Sequence, residues 1–318
     1  MPILRTPDSR FQNLDGFAFQ PHYIEIDDPD FGTLRVHYLD EGPADGPIIL
    51  CLHGEPTWCY LYRKMIPIFV AAGFRVLAPD LIGFGRSDKL SVREDYTYQR
   101  HVRWIGDWIA AVGASEITLL GQDWGGLIGL RLLAENPDLF ARVSLSNTGL
   151  PTGDHSFGEA FLKWRAFSQN DPVFDIGAIV NLFGRGSLSE GEVLAYRAPF
   201  PDDSFKAGAR QFPLLVPVEP DNAAADDNRR AWQSLMRWTK PMLLCFSDSD
   251  PITQGADKAF LKLVPGTKDQ PHITLKGRHF IQEEDGETWA RALVEWMKPG
   301  TEGGKFTQNH EISNTRSK

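Results

Sequence analysis

The stretch Gly121-Gln122-Asp123-Trp124-Gly125-Gly126 lies between an apolar run and a helix-like run, and it constrains the fold more tightly than any other part of the chain. Before it, Glu116-Ile117-Thr118-Leu119-Leu120 reads as a buried strand. After it, Leu127, Ile128, Leu130, Leu132 and Leu133 continue as a largely apolar helix that ends near Asn136-Pro137. A tight strand-to-helix turn of the pattern G-x-S-x-G presents a nucleophile above a sheet. Here Asp123 stands at the nucleophile position. An aspartate that attacks carbon becomes an ester of the protein, so a second step must hydrolyse it.

Other apolar runs extend the same pattern. Tyr23–Ile26, Leu34–Tyr38, the run from Pro47 to Leu52 and the run from Phe74 to Ala78 read as strands, with helices expected over Tyr60–Ala71 and Tyr98–Val112. Strand and helix alternate, so the expected fold class is α/β, a mostly parallel sheet covered on both faces. The pattern changes at 151–240, which holds eight of the twenty phenylalanines and few strand-like runs. That segment is expected to be an inserted, mainly helical cap, with 1–150 and 241–298 forming the core domain. Alternation resumes with strands over Met242–Phe246 and His272–Leu275 and a helix over Gly286–Met297. The polar, glycine-containing tail at 299–318 is expected to fray.

Composition narrows the partners. A 318-residue chain with 42% hydrophobic and 24% charged residues is ordinary for a soluble globular protein. The net charge of −9 and the lack of a long basic run argue against nucleic acid. No run approaches the length of a membrane helix, and the first residues lack the apolar core of a secretory signal, so a cytoplasmic location is the expectation. Three cysteines, Cys51, Cys59 and Cys245, suit buried thiols in a reducing compartment. Nothing in the surface pattern assigns an oligomeric state.

Three residues follow strands in the order nucleophile, acid, histidine: Asp123, Asp250 in Ser247-Asp248-Ser249-Asp250-Pro251, and His279 in Gly277-Arg278-His279-Phe280. Parallel sheets gather their working loops beyond the carboxyl ends of the strands, so the three are expected to share one site. Asp248 competes with Asp250. The Asp-Pro-Ile context favours Asp250, and Asp248 suits a turn. His53-Gly54-Glu55 ends another strand. In an elbow hydrolase the amides after such a strand and after the nucleophile form an oxyanion hole, here those of Glu55 and Trp124.

Together, Gly121-Gln-Asp-Trp-Gly-Gly, His53-Gly-Glu-Pro-Thr-Trp58, Asp80-Leu-Ile-Gly-Phe-Gly-Arg-Ser-Asp88 and Gly277-Arg-His-Phe280 resemble the haloalkane dehalogenases, members of the α/β-hydrolase superfamily. The resemblance covers nearly the whole chain outside the tail and is weakest in the cap. It implies an α/β-hydrolase fold and hydrolysis of a haloalkane to alcohol, halide and a proton through an alkyl-aspartate ester. Asp123 would be the nucleophile, Asp250 the triad acid and His279 the base. Such enzymes hold the departing halide between two side-chain N–H donors. One is the tryptophan after the nucleophile, Trp124. The other is either an asparagine after the His-Gly pair or a cap tryptophan. Glu55 occupies the former position, which leaves the cap to supply the donor, and Trp164 in Phe161-Leu-Lys-Trp164-Arg-Ala-Phe167 is the candidate. Helical spacing of Trp164 from Phe161 and Phe167 equally suits plain packing.

The same resemblance implies no organic cofactor and no metal, and no cysteine and histidine ligand cluster is visible in the sequence. Substrate and water would be the partners, with halide as product and neither nucleic acid nor membrane. An epoxide hydrolase shares the nucleophile but protonates its substrate with tyrosines, of which 151–240 holds only Tyr196. A fluoroacetate-type enzyme would draw on Arg165, Arg197 or Arg210. A catalytically silent binder on the same fold is the reading from a different class. A serine esterase has no support, because the chain has no G-x-S-x-G.

Overall fold

The apolar runs form the inner strands of one twisted sheet. The computed structural model describes residues 3–298, and the tail at 299–318 lies outside the described residues. In chain order the strands are β1 (Ile3–Leu4), β2 (His22–Asp28), β3 (Gly32–Glu41), β4 (Ile48–Leu52), β5 (Arg75–Pro79), β6 (Lys89–Leu90), β7 (Ile117–Gln122), β8 (Phe140–Ser146), β9 (Met242–Ser247) and β10 (Ile273–Leu275). Eight of them make the main sheet in the order β10-β9-β8-β7-β4-β5-β3-β2. Pairing is parallel from β10 to β5, while β3 and β2 close one edge antiparallel. The central strands β4 and β7 are covered on both faces, which is why they read as continuous apolar runs rather than as alternating ones.

Register gathers the carboxyl ends of the parallel strands at one edge. Leu52 of β4 pairs with Gly121 of β7, Gln122 of β7 with Ser146 of β8, and Leu275 of β10 with Ser247 of β9. The loops that follow must therefore meet.

Helices α1 (Ile66–Ala71), α2 (Tyr98–Val112) and α3 (Trp124–Glu135) precede β8. Between β8 and β9 come five more: α4 (Glu159–Asn170), α5 (Ile176–Phe183), α6 (Glu190–Arg197), α7 (Ala207–Leu215) and α8 (Ala225–Leu235). The chain then adds α9 (Asp257–Leu263), α10 (Ile281–Glu284) and α11 (Gly286–Trp296). Helix α2 starts where the Thr97 hydroxyl accepts from the Arg100 N–H and stops at Gly113, whose φ of 67° ends the turn. Its buried residues, from Tyr98 through His101, Val102, Trp104, Ile105 and Trp108, recur at helical spacing along one face.

The helix expected over Tyr60–Ala71 is shorter in the structure. Cys59–Tyr62 forms a 3-10 turn, and α1 begins only at Ile66. Pro67 explains the late start, since proline lacks an N–H and belongs in a first helical turn. The ribbon of β1 with β6 has no counterpart in the sequence reading, because two-residue strands carry no period. All three cysteines are buried and free, and burial pushes the Cys245 thiol up to about 12. Among the described residues no helix is long and apolar enough to cross a membrane.

Candidate active site

Asp123 sits between β7 and α3 with φ 53° and ψ −129°, a backbone conformation that non-glycine residues rarely adopt. The surrounding bonds hold it there. Its N–H donates to the Asn147 carbonyl at 3.0 Å. Its own carbonyl accepts from the Gly126 N–H at 2.9 Å, the Leu127 N–H at 3.1 Å and the Thr148 hydroxyl at 2.7 Å. The turn also needs close backbone approach. A Cβ at Gly125 would lie 1.8 Å from the Leu52 carbonyl oxygen, and one at Gly54 would lie 2.3 Å from Asp123 Oδ1.

The loops after β9 and β10 bring the other two predicted residues to the same place. His279 Nδ1 lies 3.1 Å from Asp250 Oδ2, and His279 Nε2 lies 3.4 Å from Asp123 Oδ2. Asp250 is held in turn by the Ile252 N–H at 2.9 Å, the Thr253 N–H at 3.2 Å and the Thr253 hydroxyl. Asp248 does not reach the histidine. Its Oδ1 accepts from the Ser249 hydroxyl at 2.8 Å and the Gly277 N–H at 3.2 Å, bracing the turn. A ring nitrogen is thus directed at each carboxylate, with Nδ1–H on Asp250 leaving Nε2 to face Asp123.

Charge sets the proton on this histidine. Burial alone would lower its pKa, but Asp250 and Asp123 outweigh burial and push it up to about 10. Burial likewise opposes ionisation of Asp250, yet His279 and the hydrogen bonds from Thr253 and Ile252 hold its carboxyl below the ordinary range. The two neighbouring side chains thus favour the protonated form of the ring.

The Glu55 N–H donates to Asp123 Oδ1 at 2.7 Å. Trp124 supplies the first amide of α3, where helix N–H groups lack intrahelical partners. The Glu55 side chain is buried, and burial, reinforced by the Asp123 charge, raises its pKa well above the ordinary carboxyl value. Both effects favour the uncharged form of this carboxyl.

Asp123, His279 and Glu55 open into a cavity of about 630 Å³. Its wall includes Trp124, Phe161, Trp164, Phe183, Trp232 and Phe280, so residues of the inserted helices face the core loops across the space. Trp124 is buried edge-on against Tyr98 and Phe212. Trp164 is half-buried, stacked with Phe167 and Phe174 and edge-on to Phe183. Neither indole N–H has a hydrogen-bond partner among the described residues. An indole nitrogen only donates, which suits an anion in a cavity of this kind.

His37, Cys59 and Asp80, far apart in the chain, come together as a fully buried group of metal-ligand type. Asp80 there accepts from His37 Nδ1 at 2.7 Å and from the amides of Cys59 and Arg86, each at 2.8 Å. Its carboxylate is committed to bracing the turn of Asp80–Asp88 rather than left open to a cation. Four further residues of the site carry no sequence signal of their own. These are Gln122, whose side-chain amide donates to the His279 carbonyl at 3.0 Å, together with Asn147, Thr148 and Thr253. The partners of Gln122, Asn147 and Thr148 are set by strand register, which a local motif does not contain, whereas Thr253 bonds Asp250 three positions earlier.

The fold and much of the sequence are shared with known proteins. The alpha/beta hydrolase fold family matches residues 47–286. The chain is 58% identical over 298 residues to a haloalkane dehalogenase of Psychrobacter cryohalolentis, an alignment spanning 93% of this chain and 98% of that protein. It is 50% identical over 297 residues to a haloalkane dehalogenase of Mycobacterium marinum, spanning 93% and 100% of the two chains. Among solved structures, the tetrameric haloalkane dehalogenase of Paraglaciecola agarilytica superposes with a TM-score of 0.84 at 35% identity, covering 92% of this chain and 97% of that one.

Proposed function

The chain belongs to the haloalkane dehalogenases, enzymes of the alpha/beta hydrolase fold, and from that premise we propose that it hydrolyses carbon–halogen bonds with Asp123 as nucleophile, His279 as base and Asp250 as the acid that orients the base. One observation carries the reading: the His279 ring lies between the two carboxylates, 3.4 Å from Asp123 and 3.1 Å from Asp250, at the floor of an aromatic cavity.

In the first step an Asp123 oxygen attacks the halogen-bearing carbon as the carbon–halogen bond breaks, giving an alkyl ester and a halide. The N–H groups of Trp124 and Trp164 stabilise the leaving charge. The wall around them is largely aromatic and aliphatic, so such donors act in a medium of low dielectric, where each is worth more than in bulk water. Residues 151–240 act here as a cap domain that supplies Trp164, and residues 1–150 with 241–298 act as the core.

Esterification has a second effect. It removes the Asp123 charge, one of the two that hold the proton on His279, so the imidazolium can release that proton to solvent. The neutral ring then takes a proton from water, and the resulting hydroxide attacks the ester carbonyl. The Glu55 and Trp124 amides stabilise the oxyanion. Collapse transfers the remaining proton to the leaving alkoxide and returns the Asp123 carboxylate. The balance is haloalkane and water in, alcohol, halide and a proton out. No step calls on a cofactor.

An epoxide hydrolase reading has less support. No tyrosine lines the cavity among the described residues, and the Tyr196 hydroxyl is bound to Glu283. The test is halide and proton release from bromo- and chloroalkanes, run beside an epoxide and a p-nitrophenyl ester, with Asp123→Ala as control. Halide release lost in that variant is the expected result. Epoxide opening without halide release would move the assignment, and silence on every substrate would favour a binder.

A further inference from the structure

Asn147 follows the last residue of β8 with φ 40°, in a region that asparagine tolerates better than most residues. It is fully buried. Its side-chain amide makes all four hydrogen bonds open to it. Nδ2 donates to the Arg278 carbonyl at 2.7 Å and to the His279 carbonyl at 3.0 Å. Oδ1 accepts from the Ser247 N–H and the Ser247 hydroxyl, each at 3.0 Å. Its own carbonyl meanwhile accepts from the Asp123 N–H at 3.0 Å. One residue thus joins the nucleophile turn, the end of the strand that leads to Asp250, and the loop that carries His279.

We propose that the Asn147 side chain is a positioning residue for the ester-hydrolysis step, locking the histidine loop and the acid-bearing strand end to the nucleophile turn. The proposal rests on the triad reading above. Its asymmetry follows from which bonds belong to the side chain. The bond to Asp123 uses the Asn147 backbone and remains when the side chain is changed, and neither indole proposed to hold the halide is bonded to the Asn147 side chain. Alkylation is therefore insulated from this side chain. The His279 and Ser247 anchors both depend on it. A bare carboxylate would not serve, since its second oxygen would face two carbonyls.

Asn147→Gly tests this, because glycine keeps the positive φ and the backbone carbonyl while removing the amide. Single-turnover reaction with 1-bromobutane would follow bromide release and ester hydrolysis separately, with intact mass reporting the alkylated protein and thermal melting reporting the fold. The expected result is bromide release within about threefold of wild type and hydrolysis slowed about 10- to 100-fold, the scale on which small misplacement of a reacting group acts. Ser247→Ala removes one of the four bonds and should slow the same step less. Parallel slowing of both steps, or slowing of neither, would overturn the proposal. If Asn147→Gly does not fold, Ser247→Ala decides, and unchanged hydrolysis in that variant rejects it. His279→Phe in the same assay separates the two ideas. If it traps no ester, the triad reading fails and takes the proposal with it. If it traps ester while Asn147→Gly hydrolyses normally, only the role of Asn147 falls.

Discussion

The two sides of the cavity are built on different physics. On the core side, Asp123, Asp250 and His279 sit at the ends of parallel strands and are fixed by hydrogen bonds from backbone and side-chain donors, with Asp250 at 2% and His279 at 5% exposure. On the other side, α4 and α5 contribute Phe161, Trp164 and Phe183 by ring packing, and the same segment leaves Val173 at 70% and Leu182 at 71% exposure. Hydrogen bonds specify direction and distance, whereas apolar packing tolerates rearrangement as long as volume is kept. The lesson is that the proposed reacting atoms are placed by the sheet, while the facing wall of the cavity is a surface that can be repacked.

Substitutions on the two sides should therefore differ in kind. Asp123→Ala removes the proposed nucleophile, and halide release should fall by roughly 10⁴-fold or more, the scale seen when a member of a catalytic unit is lost. Trp124→Phe and Trp164→Phe each delete one indole N–H proposed to hold the halide. Steady-state kinetics should show turnover or halide affinity lower by about 10- to 100-fold, as for loss of a hydrogen bond to a charged group, with the ring packing kept. Loss of less than about threefold at Trp164 would return that residue to a packing role.

pH separates the steps. Asp250 and Asp123 push the His279 pKa up to about 10, and in the proposed scheme alkylation does not need the ring as a base. The bromide burst should be flat between about pH 6 and 9, while ester hydrolysis rises with pH through an apparent pKa below that of the free enzyme. A burst that titrates together with hydrolysis would break this separation. The same shift carries a stability consequence. Because the folded pKa lies above the unfolded value of about 6.5, the contribution is complete below that pH and is lost as pH rises through about 10. Melting temperature should decline over that window more in wild type than in His279→Phe. The smallest effect belongs to the exposed surface of α5, where Leu182→Ser should change stability by no more than about 0.5 kcal/mol in a denaturant titration.

Much of the core side is legible in the chain. The apolar strand, glycine-rich turn and apolar helix around Asp123 form one local pattern, and α2 follows the residues expected from its period. Asp250 and His279 are legible because each follows a strand, and the structure brings them within hydrogen-bond distance of each other. The residues that hold them are not. Asn147 reaches partners 100 and 132 positions away, a relation that exists only once β8, β9 and the last loop are in register. The fully buried grouping of His37, Cys59 and Asp80 is hidden for the same reason. Across the cavity, Trp164 carries the spacing of an ordinary packed aromatic, and only its position on the cavity wall distinguishes it.

The central claim is that Asp123 carries the alkyl group between two separable steps. On that claim hydrolysis clears the ester in the wild-type enzyme, so the direct measurement is the intact mass of His279→Phe after exposure to 1-bromobutane, followed by peptide mapping. The account predicts a stoichiometric butyl adduct located on Asp123, and an unmodified protein, or an adduct on another residue, would contradict it.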